Sequence, residues 1–186
     1  MSKRLGLLAG LWLFAGMAAM AADAKAGKVD KDKEAALANP YANDLGPAEV
    51  DISGYPKELA AGYKLMKDKC TKCHTTSRPL NAQFVELKKD EMATFMKAAG
   101  AHAKNENLYK VDDGVWKRYV KRMASKPGCE LSKTDDQKEI YKFLVHDSKA
   151  RKTGDKIETW VKHRKDLLTQ FKEKYPKRYV ELYSEK

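Results

Sequence analysis

The chain has 186 residues, and 37 lysines and arginines against 26 aspartates and glutamates give it a formal net charge of +11. Charged residues make up 34% of the sequence and the mean hydropathy is −0.69, which excludes a polytopic membrane protein. Three cysteines are too few for a disulfide-dense scaffold. The basic excess favours a nucleic-acid partner only if the rest of the sequence agrees.

The N-terminal segment has the organisation of a secretory signal. Two basic residues precede an uncharged run from Leu5 to Ala22, and a small-x-small tripeptide ends at Ala21. We expect residues 1–21 to be a signal peptide cleaved after Ala21 or close by. An uncleaved membrane anchor is the alternative, but the small residues and Asp23 favour cleavage. The prediction is a periplasmic protein with no stable membrane anchor after cleavage and no nucleic-acid partner.

The next segment, residues 22–55, is rich in Ala, Lys and Asp and holds few large apolar residues. This composition predicts a flexible lead-in. Tyr41, Val50 and Ile52 are its candidates for docking onto a folded part. Order is expected to begin near Pro56, because proline suits the first turn of a helix.

Four helices are predicted between residues 56 and 148 from apolar residues at helical spacing. Their apolar faces are Leu59, Tyr63 and Met66 before Cys70; Met92, Phe95, Met96 and Ala99 within residues 88–104; Trp116, Tyr119, Val120 and Met123; and Ile140, Tyr141, Leu144 and Val145. Pro127 and Gly128 end the third helix, and a capping-box pattern at Thr134 begins the fourth. No strand alternation and no internal repeat stand out, so the predicted fold class is all-α.

The last part of the chain, residues 149–186, is a basic extension, and it overlaps a polar break predicted at residues 147–155. It contains 12 Lys and Arg against 6 Asp and Glu, a net charge of +6. One long helix is predicted here, with an apolar face made of Ile157, Trp160, Val161, Arg164, Leu168, Phe171 and Tyr175. We expect this face to pack on the rest of the chain or on a partner, with the charges on the solvated side.

The chemistry is carried by the C-x-x-C-H string of Cys70, Cys73 and His74, the attachment pattern of c-type haem. Two residues between the thiols let one helical turn present both sulfurs to the two vinyl groups of a porphyrin edge. The next residue then places its imidazole under the iron as the proximal ligand. The alternatives are a disulfide or thioredoxin-like redox pair and a zinc site. The redox pair is expected in a βαβ unit, which the sequence does not show, and a zinc site would need further ligands such as Cys129.

Beyond this string, the chain resembles the monohaem periplasmic c-type cytochromes over residues 56–148. Gly62 and the Ile140–Val145 segment match the crossing of first and last helices in that family, and Trp116 to Met123 follows its W-x-x-x-V-x-R-M pattern. The resemblance implies a cytochrome c-like helical domain around one covalently bound haem c, here with a long C-terminal helix. It implies an electron carrier rather than an enzyme.

Met123 is the predicted sixth ligand of the iron, with His74 as the fifth. A thioether is soft and raises the reduction potential, and the resemblance points to the same residue. Met123 as a core filler is the alternative. The weaker candidates are Met92 and Met96, expected to be core or haem-pocket residues, and His102, expected at the surface. Met66 is expected to pack in the first helix, and His146 and His163 to be solvated.

Two further residues, Arg78 and Trp116, are predicted to contact the haem propionates. The alternatives are a surface arginine and a core tryptophan, and Arg122 is weighed in the same way as Arg78. Cys129 has no cysteine partner once the haem takes the other two. It could link two chains, have no role or act as a thiolate ligand.

The predicted function is periplasmic electron transfer by Fe(III)/Fe(II) cycling at one haem c. Lysines around the exposed haem edge would steer redox proteins with acidic docking surfaces. The alternatives are a haem enzyme or gas sensor with an open sixth position, and a haem subunit of a larger redox complex. Motifs of hydrolases and nucleotide-binding proteins are missing from the sequence.

Overall fold

The computed structural model describes residue 31 and residues 33–184, and it is mostly helical. The predicted signal peptide, residues 1–21, lies outside the described residues, as do residues 22–30 of the lead-in. In the described part of the chain, no helix has both the length and the apolar character needed to cross a membrane.

The described helices confirm the all-α class. They are α1 (Ala60–Cys70), α2 (Ser77–Leu80), α3 (Lys89–Ala99), α4 (Val115–Ala124), α5 (Thr134–Lys152), α6 (Ile157–Lys174) and α7 (Pro176–Tyr183). Residues 33–38 are also helical, and short 3-10 helices cover Ala42–Leu45, Lys57–Leu59, Gly100–Lys104 and Gly154–Lys156. Two strands, β1 (Phe84–Val85) and β2 (Lys110–Val111), pair in parallel. The sequence did not indicate them, because two residues are too few to show an alternating pattern.

The main core lies between α1, α4 and α5, where apolar faces of all three helices meet. Its fully buried side chains include Met66, Trp116, Ile140, Phe143 and Leu144. The helices α1 and α5 cross at Gly62, where an added Cβ would lie 2.3 Å from the Glu139 carbonyl oxygen. The crossing therefore occurs at the glycine that the sequence analysis singled out.

Helix α5 is longer than predicted, because it continues through the expected polar break as far as Lys152. Asp147 and Ser148 are buried, and the Asp147 carboxylate accepts hydrogen bonds from Tyr55 (3.0 Å) and Arg151 (2.7 Å). These polar side chains stay inside the helix because other segments supply their partners. The break is confined to the few residues around Gly154, whose φ of 61° suits glycine.

The tail forms two helices rather than one long helix. Helix α6 ends at Lys174 and Pro176 begins α7, since proline cannot donate the backbone hydrogen bond that would continue α6. Phe171 of α6 and Tyr183 of α7 pack on Ala42, and Trp160 packs in a second cluster with Phe95. The apolar face of the tail is thus covered by this chain itself.

Part of the lead-in is packed, which differs from the expectation of a flexible segment up to Pro56. Ala42 is fully buried and donates its backbone N–H to the Tyr183 hydroxyl (3.2 Å). The Asn43 side chain donates to the Arg78 carbonyl oxygen (2.7 Å). Small and polar residues can be held this way by distant partners, a form of order that hydrophobic periodicity does not report.

Candidate functional site

The C-x-x-C-H string closes a single turn at the end of α1. Cys70 is the last residue of the helix, and its carbonyl oxygen accepts hydrogen bonds from the backbone N–H groups of Cys73 (3.3 Å) and His74 (3.2 Å). All three side chains are half-buried. Two thiols and one imidazole are therefore presented together at one helix end.

The His74 ring is oriented by its neighbour. Its Nδ1 lies 2.8 Å from the Thr75 carbonyl oxygen, which fits an Nδ1–H donor and leaves the Nε2 lone pair available for a metal. Burial lowers the pKa of His74, and the positive charge of Arg78 acts in the same direction. The neutral imidazole, which is the form that binds metals, is thus favoured.

The third cysteine lies close to the motif. Burial raises the pKa of the Cys70 thiol to about 12, and the neighbouring Cys129 and Cys73 contribute in the same direction. Cys70 and Cys129 pack against the same core. The tertiary structure thus brings a residue from the loop after α4 to the end of α1.

One face of α4 also lies near the motif. Burial raises the pKa of Tyr119 to about 12, and both Cys70 and Arg78 are near enough to influence it. Met123 follows Tyr119 by four residues, so it shares this face, and its side chain is half-buried. The predicted role of Met123 as the sixth ligand stays a prediction.

Arg78 is buried in an ion pair, unlike the surface arginine weighed as its alternative role. Its Nε and Nη2 donate to the two carboxylate oxygens of Asp44 (2.8 and 2.6 Å), and Nη2 also donates to the Ala36 carbonyl oxygen (3.1 Å). The guanidinium carbon lies 5.0 Å from the centre of the Tyr41 ring. Asp44, which the sequence analysis missed, thus accepts hydrogen bonds from the two guanidinium nitrogens that were predicted to bind a haem propionate.

Trp116 is a core residue with its hydrogen-bond donor already paired. It is fully buried and donates its indole N–H to the Ser148 hydroxyl (2.8 Å). Its ring packs edge-on against Phe84 and Tyr119. The predicted propionate contact through this N–H would have to displace Ser148.

The remaining methionines differ in their surroundings. Met66 is fully buried in α1, as predicted. Met92 is half-buried against the cluster around Phe95. Met96 is 38% exposed, so it is not a core residue, and its alternative place in a haem pocket stays a prediction.

Two of the other histidines are less exposed than predicted, whereas His102 is exposed as expected. The His146 ring centre lies 4.7 Å from that of Tyr55, and His163 Nε2 lies 3.1 Å from Asn81 Oδ1. Both side chains are half-buried rather than fully solvated, because segments distant in sequence pack against them.

Two buried cations were not recognised as unusual from the sequence. Lys152 and Arg164 are 0% and 1% exposed, and neither forms a salt bridge among the described residues. A signal was present for Arg164, which lies between Trp160 and Leu168 at four-residue spacing on the apolar face of the tail. A charge at such a position is either desolvated or paired.

No family model, curated protein or solved structure matches the chain. Among the residues described, no three His, Cys, Asp or Glu side chains are grouped to hold a metal ion. The donor set of the single turn at Cys70 nevertheless fits a c-type haem, whose attachment needs two thiols and one imidazole. Two clefts, of about 170 and 650 Å³, lie elsewhere, and neither is lined by Cys70, Cys73 or His74.

Proposed function

We propose that the chain is a periplasmic electron-transfer protein that carries one covalent haem c. Cys70 and Cys73 would form the thioethers, and His74 and Met123 would be the axial ligands. The observation that carries this proposal is the single backbone turn that places Cys70, Cys73 and His74 at the end of α1. Bound haem would supply one-electron Fe(III)/Fe(II) chemistry.

The surrounding residues support this function through orientation and exclusion of water. The Thr75 carbonyl oxygen lies 2.8 Å from His74 Nδ1, which fits a ring that donates from Nδ1 and keeps Nε2 for the iron. Tyr119 and Cys70 pack against the same core, and they are close enough for Cys70 to influence the pKa of Tyr119. Low polarity around such a centre reduces the reorganisation of solvent when its charge changes by one unit.

Exposed lysines support the proposal of acidic redox partners. Lys121 and Lys126 are exposed at the end of α4, on either side of Met123. They would attract a partner with an acidic docking surface over a distance set by the ionic strength. The rate of reduction by such a partner should therefore fall as salt is added.

Covalent attachment is the first point to test. The chain would be produced in a periplasm with haem-attachment enzymes and examined by haem staining of a denaturing gel. We expect staining of the wild type and its loss in the double variant Cys70→Ser/Cys73→Ser, whereas either single variant keeps one thioether site and should stain more weakly. Cys129→Ser is the matched control and should still stain. An unstained wild type, or equal staining of all variants, would contradict the proposal.

The sixth ligand is tested by the optical spectrum of haem-loaded protein. Met123→Ala should retain the haem but change from low spin to high spin, whereas Met96→Ala, at an exposed position, should match the wild type. An unchanged low-spin spectrum in Met123→Ala would exclude this ligand. Rapid carbon monoxide binding to the reduced wild type would favour the alternative of an open sixth position.

A further inference from the structure

A buried arginine in the tail has no carboxylate partner among the described residues. Arg164 is 1% exposed, and none of its three guanidinium nitrogens has a hydrogen-bond partner among the described residues. The neighbouring groups are two tyrosines: the Tyr183 ring centre lies 5.6 Å from the guanidinium carbon, and Tyr183 and Tyr109 both favour the charged form of Arg164. A guanidinium stays charged in proteins, and a buried charge without a partner is strongly unfavourable. The guanidinium of Arg164 therefore needs an anionic partner that the described residues do not supply.

Arg164 lines a cleft of about 650 Å³, which is within the size range of small-molecule sites. We call this the Arg164 cleft. It lies between α6, α7 and the segment that follows α3. Its other lining residues include the apolar or aromatic Leu108, Tyr109, Val161, Leu168 and Tyr179, and the charged Lys165, Lys172 and Glu173. The cleft therefore combines a buried cation with walls that suit a hydrocarbon or aromatic body.

The polar groups of the cleft favour an anion. Lys165 is exposed beside Arg164, and Glu173 forms no ion pair with the buried guanidinium. Tyr109 is buried, and burial raises its pKa to about 12, so its hydroxyl stays protonated at neutral pH. A guanidinium fork matches the two oxygens of a carboxylate, and this pairing strengthens when water is excluded.

We propose that the Arg164 cleft binds a small organic carboxylate. The carboxylate pairs with the guanidinium of Arg164, and the apolar part of the ligand packs between Leu168 and Tyr179. This site is separate from the turn at Cys70, and its occupation does not depend on the proposed electron transfer.

The test is a calorimetric titration of the full chain with benzoate, with inorganic phosphate in a parallel experiment. Benzoate should bind, and Arg164→Gln should weaken its affinity at least tenfold. Lys162→Gln is the matched control, because Lys162 is exposed on the same helix and does not line the cleft. The affinity of Lys162→Gln for benzoate should equal that of the wild type.

A second variant leaves Arg164 in place and fills the cleft. Thr169 is exposed and lines the cleft, so Thr169→Trp should fold normally and weaken benzoate binding at least tenfold. Circular dichroism would check the helix content of every variant. The proposal is overturned if benzoate does not bind, if Arg164→Gln or Thr169→Trp binds it as tightly as the wild type, or if phosphate alone binds.

Discussion

Arg78 and Arg164 are both buried arginines, but only Arg78 has a carboxylate partner. On the motif side of the molecule, which comprises residues 70–78 and their contacts, Arg78 is paired with Asp44, and these side chains are 11% and 15% exposed. On the tail side, which comprises α6 and the end of α5, Arg164 has no hydrogen-bond partner among the described residues.

Lys152, also on the tail side, is held by neutral acceptors instead of a carboxylate. Its Nζ donates to the Ala82 carbonyl oxygen (2.9 Å) and lies 4.7 Å from the centre of the Trp160 ring. The comparison shows that burial of a cation does not by itself indicate its role. The partner decides whether the charge stabilises the fold, is tolerated, or is available to a ligand.

The largest expected effect is the loss of the carboxylate on the motif side. Asp44→Asn leaves the buried Arg78 without its counter-charge and should lower the free energy of unfolding by about 3 kcal/mol. Urea denaturation measures this loss. The control is Asp112→Asn, which breaks an ion pair with Arg118 that is about half exposed and should cost about 1 kcal/mol or less. Equal losses in the two variants would contradict the importance of burial.

The opposite sign is expected for the unpaired arginine on the tail side. Arg164→Met replaces a buried charge with an apolar side chain and should raise the free energy of unfolding by about 2 kcal/mol when no ligand is added. Thermal or urea denaturation measures the change. Lys162→Met, at an exposed position on α6, should have little effect. A large destabilisation by Arg164→Met would show that the guanidinium has a stabilising partner.

A pH-dependent effect is expected for Lys152. Burial lowers its pKa well below the ordinary value of about 10.5. Between the folded and unfolded pKa values the unfolded chain binds more protons, so this residue makes stability rise with pH in that window. The slope is at most about 1.4 kcal/mol per pH unit.

Denaturation of matched variants between about pH 7 and 9.5 tests this slope. The raised pKa values of Cys70 and of the buried tyrosines give a slope of opposite sign, but these groups are the same in every variant. Lys152→Met should remove the contribution of this group, and the exposed Lys138→Met on the same helix should not. If the wild type and Lys152→Met share one slope, Lys152 does not lose its proton in this range.

The smallest effect is expected for a partly exposed pair on the motif side. Lys72 donates to Glu130 at 2.7 Å, and the two side chains are 37% and 33% exposed. Glu130→Gln should lower the free energy of unfolding by less than about 1 kcal/mol, because water competes for both groups. The loss should shrink further in high salt, which a paired urea titration would detect. A loss as large as that of Asp44→Asn would remove the distinction between exposed and buried pairs.

Local patterns predicted most of the helices, because an apolar face repeats along the sequence itself. The prediction was poorest at the end of α5, where Asp147, Ser148 and Lys152 looked like a polar break. Their partners, among them Tyr55 and Ala82, are 92 and 70 residues away in sequence. The break between α6 and α7 was different, since Pro176 was a visible local signal that the expectation of one long helix overlooked.

In the candidate site, too, residues that are adjacent in sequence were predicted to lie together, whereas partners that are distant in sequence were not. Cys70, Cys73 and His74 are adjacent in sequence, so their closeness follows from one turn of helix. The partner of Arg78 is Asp44, 34 residues earlier in a segment expected to be flexible, and no local pattern links the two. The nearness of Cys129 to Cys70 likewise depends on how α4 and α5 pack.

The sequence by itself determined the helical class, the spacing of the two thiols and the imidazole, and the concentration of positive charge in the tail. These properties depend on residues within one or two helical turns of each other. Only the tertiary structure decided which buried charges are paired, where the lead-in packs and that Arg164 faces a cleft. A charge pairs with whatever the fold brings within about 4 Å, and that distance is unrelated to separation along the chain.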